Sequence, residues 1–127
     1  MVNRHHVEGY EKFCEFMNKF DSGGKLVHIF FSGSKLGPNG QSWCDDCIRA
    51  WPVVEKELGK ADPSSHFIYV EVGDRLTWKD PNCPFRKDPK TKLMVLPTMM
   101  RWKGPQKLEG EQCEKPELVS MLFNDED

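Results

Sequence analysis

Two short apolar runs constrain this chain more than anything else in it. Leu26, Val27, Ile29, Phe30 and Phe31 form the first, interrupted only by His28; Phe67, Ile68, Tyr69, Val70 and Val72 form the second. Runs this dense, without polar alternation, fit strands buried on both faces, which requires a sheet with parallel pairing and helices above and below it. The segments around them supply helical patterns. Tyr10, Phe13, Met17 and Phe20 recur at helical spacing with Phe16 beside them, and Ser22, Gly23 and Gly24 end the pattern. Cys47, Trp51, Val54 and Leu58 fall on one helical face after Cys44. Pro52, inside that pattern, removes a backbone donor and predicts a kink.

After the second run, residues 77–92 are polar and rich in Pro and Lys, with a short helix predicted around Phe85. Residues 98–102 and 106–109 read as two strands joined by Lys103, Gly104 and Pro105, a hairpin. Pro116 stands at a tolerated first-turn position of a last helix, to which Leu118, Val119 and Leu122 give an apolar face. The acidic end, 124–127, is expected to fray. The predicted order is helix, strand, helix, strand, short helix, strand, strand, helix. This is an α/β chain with a central mixed β-sheet flanked by helices on both faces. With 127 residues and no repeat or linker, residues 1–127 are expected to form a single domain.

Composition removes several classes of function. The net charge is −2 and the basic residues are scattered, which gives no stripe for nucleic acid and no polybasic cluster for an anionic membrane. No apolar run is long enough to cross a bilayer, and residues 1–10 contain no apolar signal core. Five cysteines, with only Cys44 and Cys47 close together, do not form the dense even set of a secreted disulfide scaffold. A cytoplasmic, monomeric protein is expected.

The chemistry centres on Trp43-Cys44-Asp45-Asp46-Cys47, directly after a buried strand and its loop and at the start of a helix. At a helix N-terminus, unpaired N–H groups and the helix dipole favour negative charge, so a thiolate at Cys44 is stabilised. Cys44 is expected to point past the helix end toward solvent, and Cys47, nearly one turn further in, to be more buried. This asymmetry predicts that Cys44 attacks a disulfide and Cys47 resolves the mixed disulfide. A zinc site is the structural alternative, but one CxxC supplies two of the four ligands a closed site needs, and His5, His6, His28 and His66 show no ligand spacing. A second feature is Val95-Leu96-Pro97-Thr98, where a proline at strand entry blocks ladder pairing and is a candidate for a cis peptide bond.

With these pieces the chain resembles the thioredoxin superfamily, and within it the thioredoxin-domain-containing protein seventeen subfamily, of the Trp-Cys-x-Asp-Cys type. The resemblance runs over nearly the whole chain. It rests on Phe31-Ser32-Gly33-Ser34-Lys35, Ser42-Trp43-Cys44, Asp46-Cys47, Trp78-Lys79-Asp80-Pro81-Asn82, Phe85-Arg86-Lys87, Leu96-Pro97-Thr98, Pro105-Gln106-Lys107-Leu108 and Met121-Leu122-Phe123. It implies a thioredoxin fold and a thiol–disulfide oxidoreductase that reduces small-molecule and selected protein disulfides, cystine and S-nitrosothiols among them. It implies no bound cofactor, electrons from NADPH through thioredoxin reductase as partner, Cys44 as nucleophile, Cys47 as resolving thiol, and Pro97 as the cis proline of the substrate groove with Leu96 beside it. Two departures stand out. Asp45 replaces the family's usual proline and opposes thiolate formation. The strand before the cysteines offers Ile29 and Phe30 where ordinary thioredoxin carries a buried acid.

The remaining candidates each have a plainer reading. Asp46 is either a proton carrier for Cys47 or a first-turn acid stabilising the helix. Trp43 either contacts substrate at the rim or packs. The loop 34–41 either restricts access or is a tolerated insertion, and Lys35 within it either adds positive charge near Cys44 or is solvated. Residues 78–82 form either a second groove wall or a structural turn. Cys83 is expected to be exposed and oxidisable, Cys14 and Cys113 inert, and His28 a satisfied sheet histidine. A redox-sensitive binding module without turnover is the competing function. Glutaredoxin-like use of glutathione lacks a clear binding pattern after Pro97.

Overall fold

In the computed structural model, which describes residues 1–124, the first apolar run becomes strand β2 (Val27–Ser32), with all six residues buried. The second becomes β3 (His66–Glu71), parallel to it. Side chains of β2 alternate between two cores, as a two-residue period requires. Val27, Ile29 and Phe31 enter one cluster with Phe13, Trp78 and Phe85. Phe30 enters the other with Ala50, Val54, Leu58, Val119 and Leu122. Each fully buried ring or branched chain contributes about 2 kcal/mol through burial. The first core lies under helix α1 (Tyr10–Lys19) and the short helices α3 (Arg75–Lys79) and α4 (Pro84–Lys87). The second lies under α2 (Asp45–Leu58) and α5 (Pro116–Asn124).

The hairpin is present as β4 (Thr98–Arg101) and β5 (Lys107–Glu109), antiparallel to each other, and β4 pairs antiparallel with β2. A 3-10 turn at Gly110–Glu114 precedes α5. With an edge strand β1 (Asn3–Glu8), the sheet runs β1-β3-β2-β4-β5 and is mixed, with helices on both faces. Pro52 lies inside α2.

Three expectations need correction. The chain opens with strand β1 (Asn3–Glu8), parallel to β3 at the sheet edge, ahead of the first helix. Only Val7 of its six residues is buried, so edge pairing, not an apolar pattern, defines it. Two short helices, α3 and α4, occupy the polar segment where one was expected. Cys83 is buried, 2% exposed, within the cluster of Trp78 and Phe85. Its polar sequence neighbours face outward while the turn into α4 carries the thiol in. Of the frayed acidic end, Asn124 closes α5 and residues 125–127 lie outside the described residues.

Candidate active site

The C-terminal end of β2 and the N-terminus of α2 are joined by a small folded-back loop. Lys35 and Ser42 form an antiparallel bridge, and the Leu36 N–H donates to the Gln41 carbonyl at 2.9 Å. The Ser42 hydroxyl donates to the Gly33 carbonyl at 2.8 Å and accepts from the Cys44 N–H at 3.0 Å, which ties the first cysteine to the strand end. The segment 34–41 is thus an ordered support for the motif.

Cys44 is the N-cap of α2, with extended backbone at φ −97° and ψ 106°. Its Sγ accepts from the Cys47 N–H at 3.3 Å. This is the orphan donor that stabilises a negative sulfur at a helix start. The two cysteines are paired as a disulfide, with Cα atoms 5.2 Å apart. The order of exposure follows expectation, 8% for Cys44 against 2% for Cys47, but Cys44 does not project freely into solvent. It belongs to the first core cluster together with Leu96, because the strand-end backbone at Gly33 packs against its Cβ.

Trp43 is fixed by its surroundings. Its indole N–H donates to the Gly73 carbonyl at 2.8 Å, and its ring lies so close to Gly33 that a Cβ there would stand 2.7 Å from it. The Arg75 guanidinium sits 5.0 Å from the ring centre and donates to the Trp43 carbonyl at 3.4 Å. Sequence reasoning missed Arg75, a cation one residue from the nucleophile position and opposite in sign to Asp45. Nothing local marks it, since the contact spans thirty-two positions.

The Leu96–Pro97 peptide bond is cis, and Leu96 and Pro97 are buried ahead of β4. Asp46 lies half-exposed on the α2 surface and is ion-paired with Arg49. Lys35 is exposed, and its backbone N–H donates to Glu71 at 3.0 Å. Trp78 is a core residue, with Arg86 stacked 3.8 Å over its ring and donating to its carbonyl at 2.8 Å, so residues 78–82 form a structural turn.

On its inner side Cys47 lines a cavity of about 510 Å³ together with Ser32, Trp51, Tyr69 and His6. Burial raises the Tyr69 phenol above its ordinary range. The buried acid in this region is Glu71 on β3, opposite Ser32 in register and bonded to His6 at 2.6 Å. This acid is carried by β3, the neighbour of the strand that leads to the cysteines, and so is not marked by the sequence around Cys44.

The cysteine pair at a strand-to-helix junction, with a cis proline ahead of an antiparallel strand, invites comparison with known proteins. Residues 6–125 match the family described as thioredoxin domain-containing protein 17-like, thioredoxin domain. The chain belongs to this family. It is 45% identical over 120 residues to thioredoxin domain-containing protein 17 of Danio rerio and 39% identical to that of Homo sapiens, covering 94% of this chain and of each relative. It is 39% identical over 105 residues to the thioredoxin-like protein Clot of Arabidopsis thaliana, across 80% of this chain and 78% of that one. Among solved structures it is similar to oxidised thioredoxin O1 from Arabidopsis thaliana, with a TM-score of 0.58 and 18% identity, across 96% of this chain and 99% of the other. That likeness concerns the fold. Membership of the thioredoxin domain-containing protein 17 family together with the paired Cys44 and Cys47 supports thiol–disulfide redox chemistry. No helix among the described residues is long and apolar enough to cross a membrane.

Proposed function

We propose that this protein is a disulfide reductase that acts on small-molecule disulfides such as cystine, on S-nitrosothiols and on selected protein disulfides, and is recycled by thioredoxin reductase with electrons from NADPH. The observation that carries the proposal is the Cys47 N–H directed at Cys44 Sγ at the first turn of α2. It supports Cys44 as the sulfur that holds negative charge, and so as the nucleophile. In the reaction, Cys44 thiolate attacks one sulfur of the substrate disulfide and expels the other as a thiolate. Cys47 thiolate then attacks Cys44, the mixed disulfide breaks, and the second substrate thiolate leaves. Two electrons pass from the dithiol to the substrate, and the reductase returns them.

The buried position of Cys47 favours a waiting role, because its sulfur is screened until the mixed disulfide forms. Its cavity offers water a route to the thiol that must lose a proton. Asp46 would have to leave its Arg49 partner to carry that proton, so we assign it to the helix terminus. Leu96 and Pro97 would line the substrate side, in the manner of a backbone edge that pairs with an extended segment. Trp43, bonded to Gly73 and packed on Gly33, holds the backbone that leads into Cys44. This chemistry suits a reducing compartment such as the cytoplasm.

The test is NADPH oxidation with thioredoxin reductase, this protein and cystine. Turnover proportional to protein concentration is expected. Reduction of the Cys44–Cys47 disulfide without sustained turnover on any disulfide would instead favour a redox-sensitive binding module.

A further inference from the structure

At the opposite end of β2 from the cysteine pair lies a second cavity, of about 670 Å³, that none of the redox chemistry uses. Its size falls within the range of small-molecule sites. The inner wall is apolar. Phe13 and Met17 reach it from α1, Phe20 from the turn that follows, and Trp102 from the end of β4, with the Phe13 and Trp102 rings edge-to-face at 6.1 Å. The polar lining is strongly one-sided. Lys25, Lys90 and Lys103 line it against a single carboxylate, Asp21, which already accepts from the Gly23 N–H at 2.8 Å; Arg101 also borders it, but its guanidinium turns away to His28 and the Leu122 carbonyl. A chain with a net charge of −2 therefore gathers three lysines around one aromatic-walled hollow. Lys103 takes its place there at φ 67°, a left-handed conformation that ordinarily favours glycine.

We infer that this cavity binds a small amphipathic anion, an aromatic carboxylate of one or two rings, with the ring against Phe13, Phe20 and Trp102 and the carboxylate among the lysines. The apolar wall supplies burial and ring contacts, while the cations, whose side chains come from three separate loops, select for negative charge. Neither an uncharged aromatic nor an aromatic amine satisfies both halves of the lining. The site is separate from Cys44 and Cys47, so its occupancy and the disulfide chemistry can succeed or fail independently.

The test is a titration of the reduced, full chain with 2-naphthoate, followed by amide and indole chemical shifts. Saturable shifts confined to Trp102, residues 20–27 and Lys103 are expected, and 2-naphthalenemethanol, which lacks the charge, should bind at least about fivefold more weakly. Cys14, which also lines the cavity, should alkylate more slowly when naphthoate is present. The double variant Lys25→Gln/Lys103→Gly removes two cations and relieves the left-handed residue, so it should fold and lose at least about fivefold in affinity. No saturable shift, shifts centred on the cavity beside Cys47, or equal binding of the acid and the alcohol would each overturn the inference.

Discussion

His28 offers a stability switch whose size follows from its position. It sits in β2, 2% exposed, with its ring edge-to-face against Phe123 of α5 at 5.1 Å. The Arg101 Nε–H of β4 donates to its Nε2 at 3.2 Å, so that nitrogen must be the unprotonated acceptor. Burial, and then the Arg101 charge, lower its pKa from 6.5 to about 4, although the Leu122 backbone favours the proton. The sign follows from which state binds more protons. Between about pH 6.5 and about pH 4 the unfolded chain takes up a proton that the folded chain refuses, so stability is full above that window and falls as pH drops through it. At 1.36 kcal/mol per pH unit the whole effect is about 3 kcal/mol, of which about 2 kcal/mol is lost between about pH 7.5 and about pH 5. Urea denaturation at those two pH values measures it. Because His5 is also held below its ordinary pKa by burial and by His66, wild type must be compared with His28→Gln. Glutamine accepts from Arg101 without titrating, so the variant should lose about 2 kcal/mol less than wild type over the same interval. An equal pH-dependent loss in both proteins would refute the assignment of His28 as a buried neutral group.

Other outcomes follow from the site. Gly33→Ala places a Cβ 2.7 Å from the Trp43 ring and 3.0 Å from the Cys44 Cβ, and it should cost about 1–3 kcal/mol by denaturation and slow disulfide reduction together. Arg75→Gln removes the cation from the Trp43 carbonyl and should slow alkylation of reduced Cys44 near neutral pH by about twofold, with stability little changed. Asp46→Asn should leave turnover within about threefold, since its carboxylate is engaged with Arg49 on the helix surface; a larger loss at unchanged stability would return it to the role of proton carrier.

The parts of the fold legible in the sequence are those in which local pattern and burial coincide. β2 and β3 are buried on both faces and so read as apolar runs. The helix after Cys44 shows its period because Val54 and Leu58 face one core. β1 is different. Asn3, Arg4, His5 and His6 are strand only because β3 offers them hydrogen bonds, and nothing in their own order announces it. The same reason hid the support of the active site. The Gly73 carbonyl that holds the Trp43 indole, the Arg75 guanidinium over its ring, and the Glu71 carboxylate beside His6 all arrive from β3 or just after it, and only tertiary pairing brings them to α2 and β1. Cys83 misled because its neighbours are polar, whereas its own side chain turns inward at the start of α4. The cysteine motif was legible because its chemistry depends on placement at a strand-to-helix junction, which the glycine-rich loop and the helical period mark from both sides.

The division of labour between the two cysteines is tested most directly by trapping. Cys47→Ser and Cys44→Ser proteins, reduced and then mixed with cystine, are each examined by mass spectrometry of the intact chain. A stable half-cystine adduct on Cys44 of the Cys47→Ser protein is expected, because no internal thiol remains to resolve it, with little or none on the Cys44→Ser protein, where Cys47 is buried. Stable adducts on the Cys44→Ser protein alone would reverse the roles. Adducts on neither would contradict the disulfide reductase account.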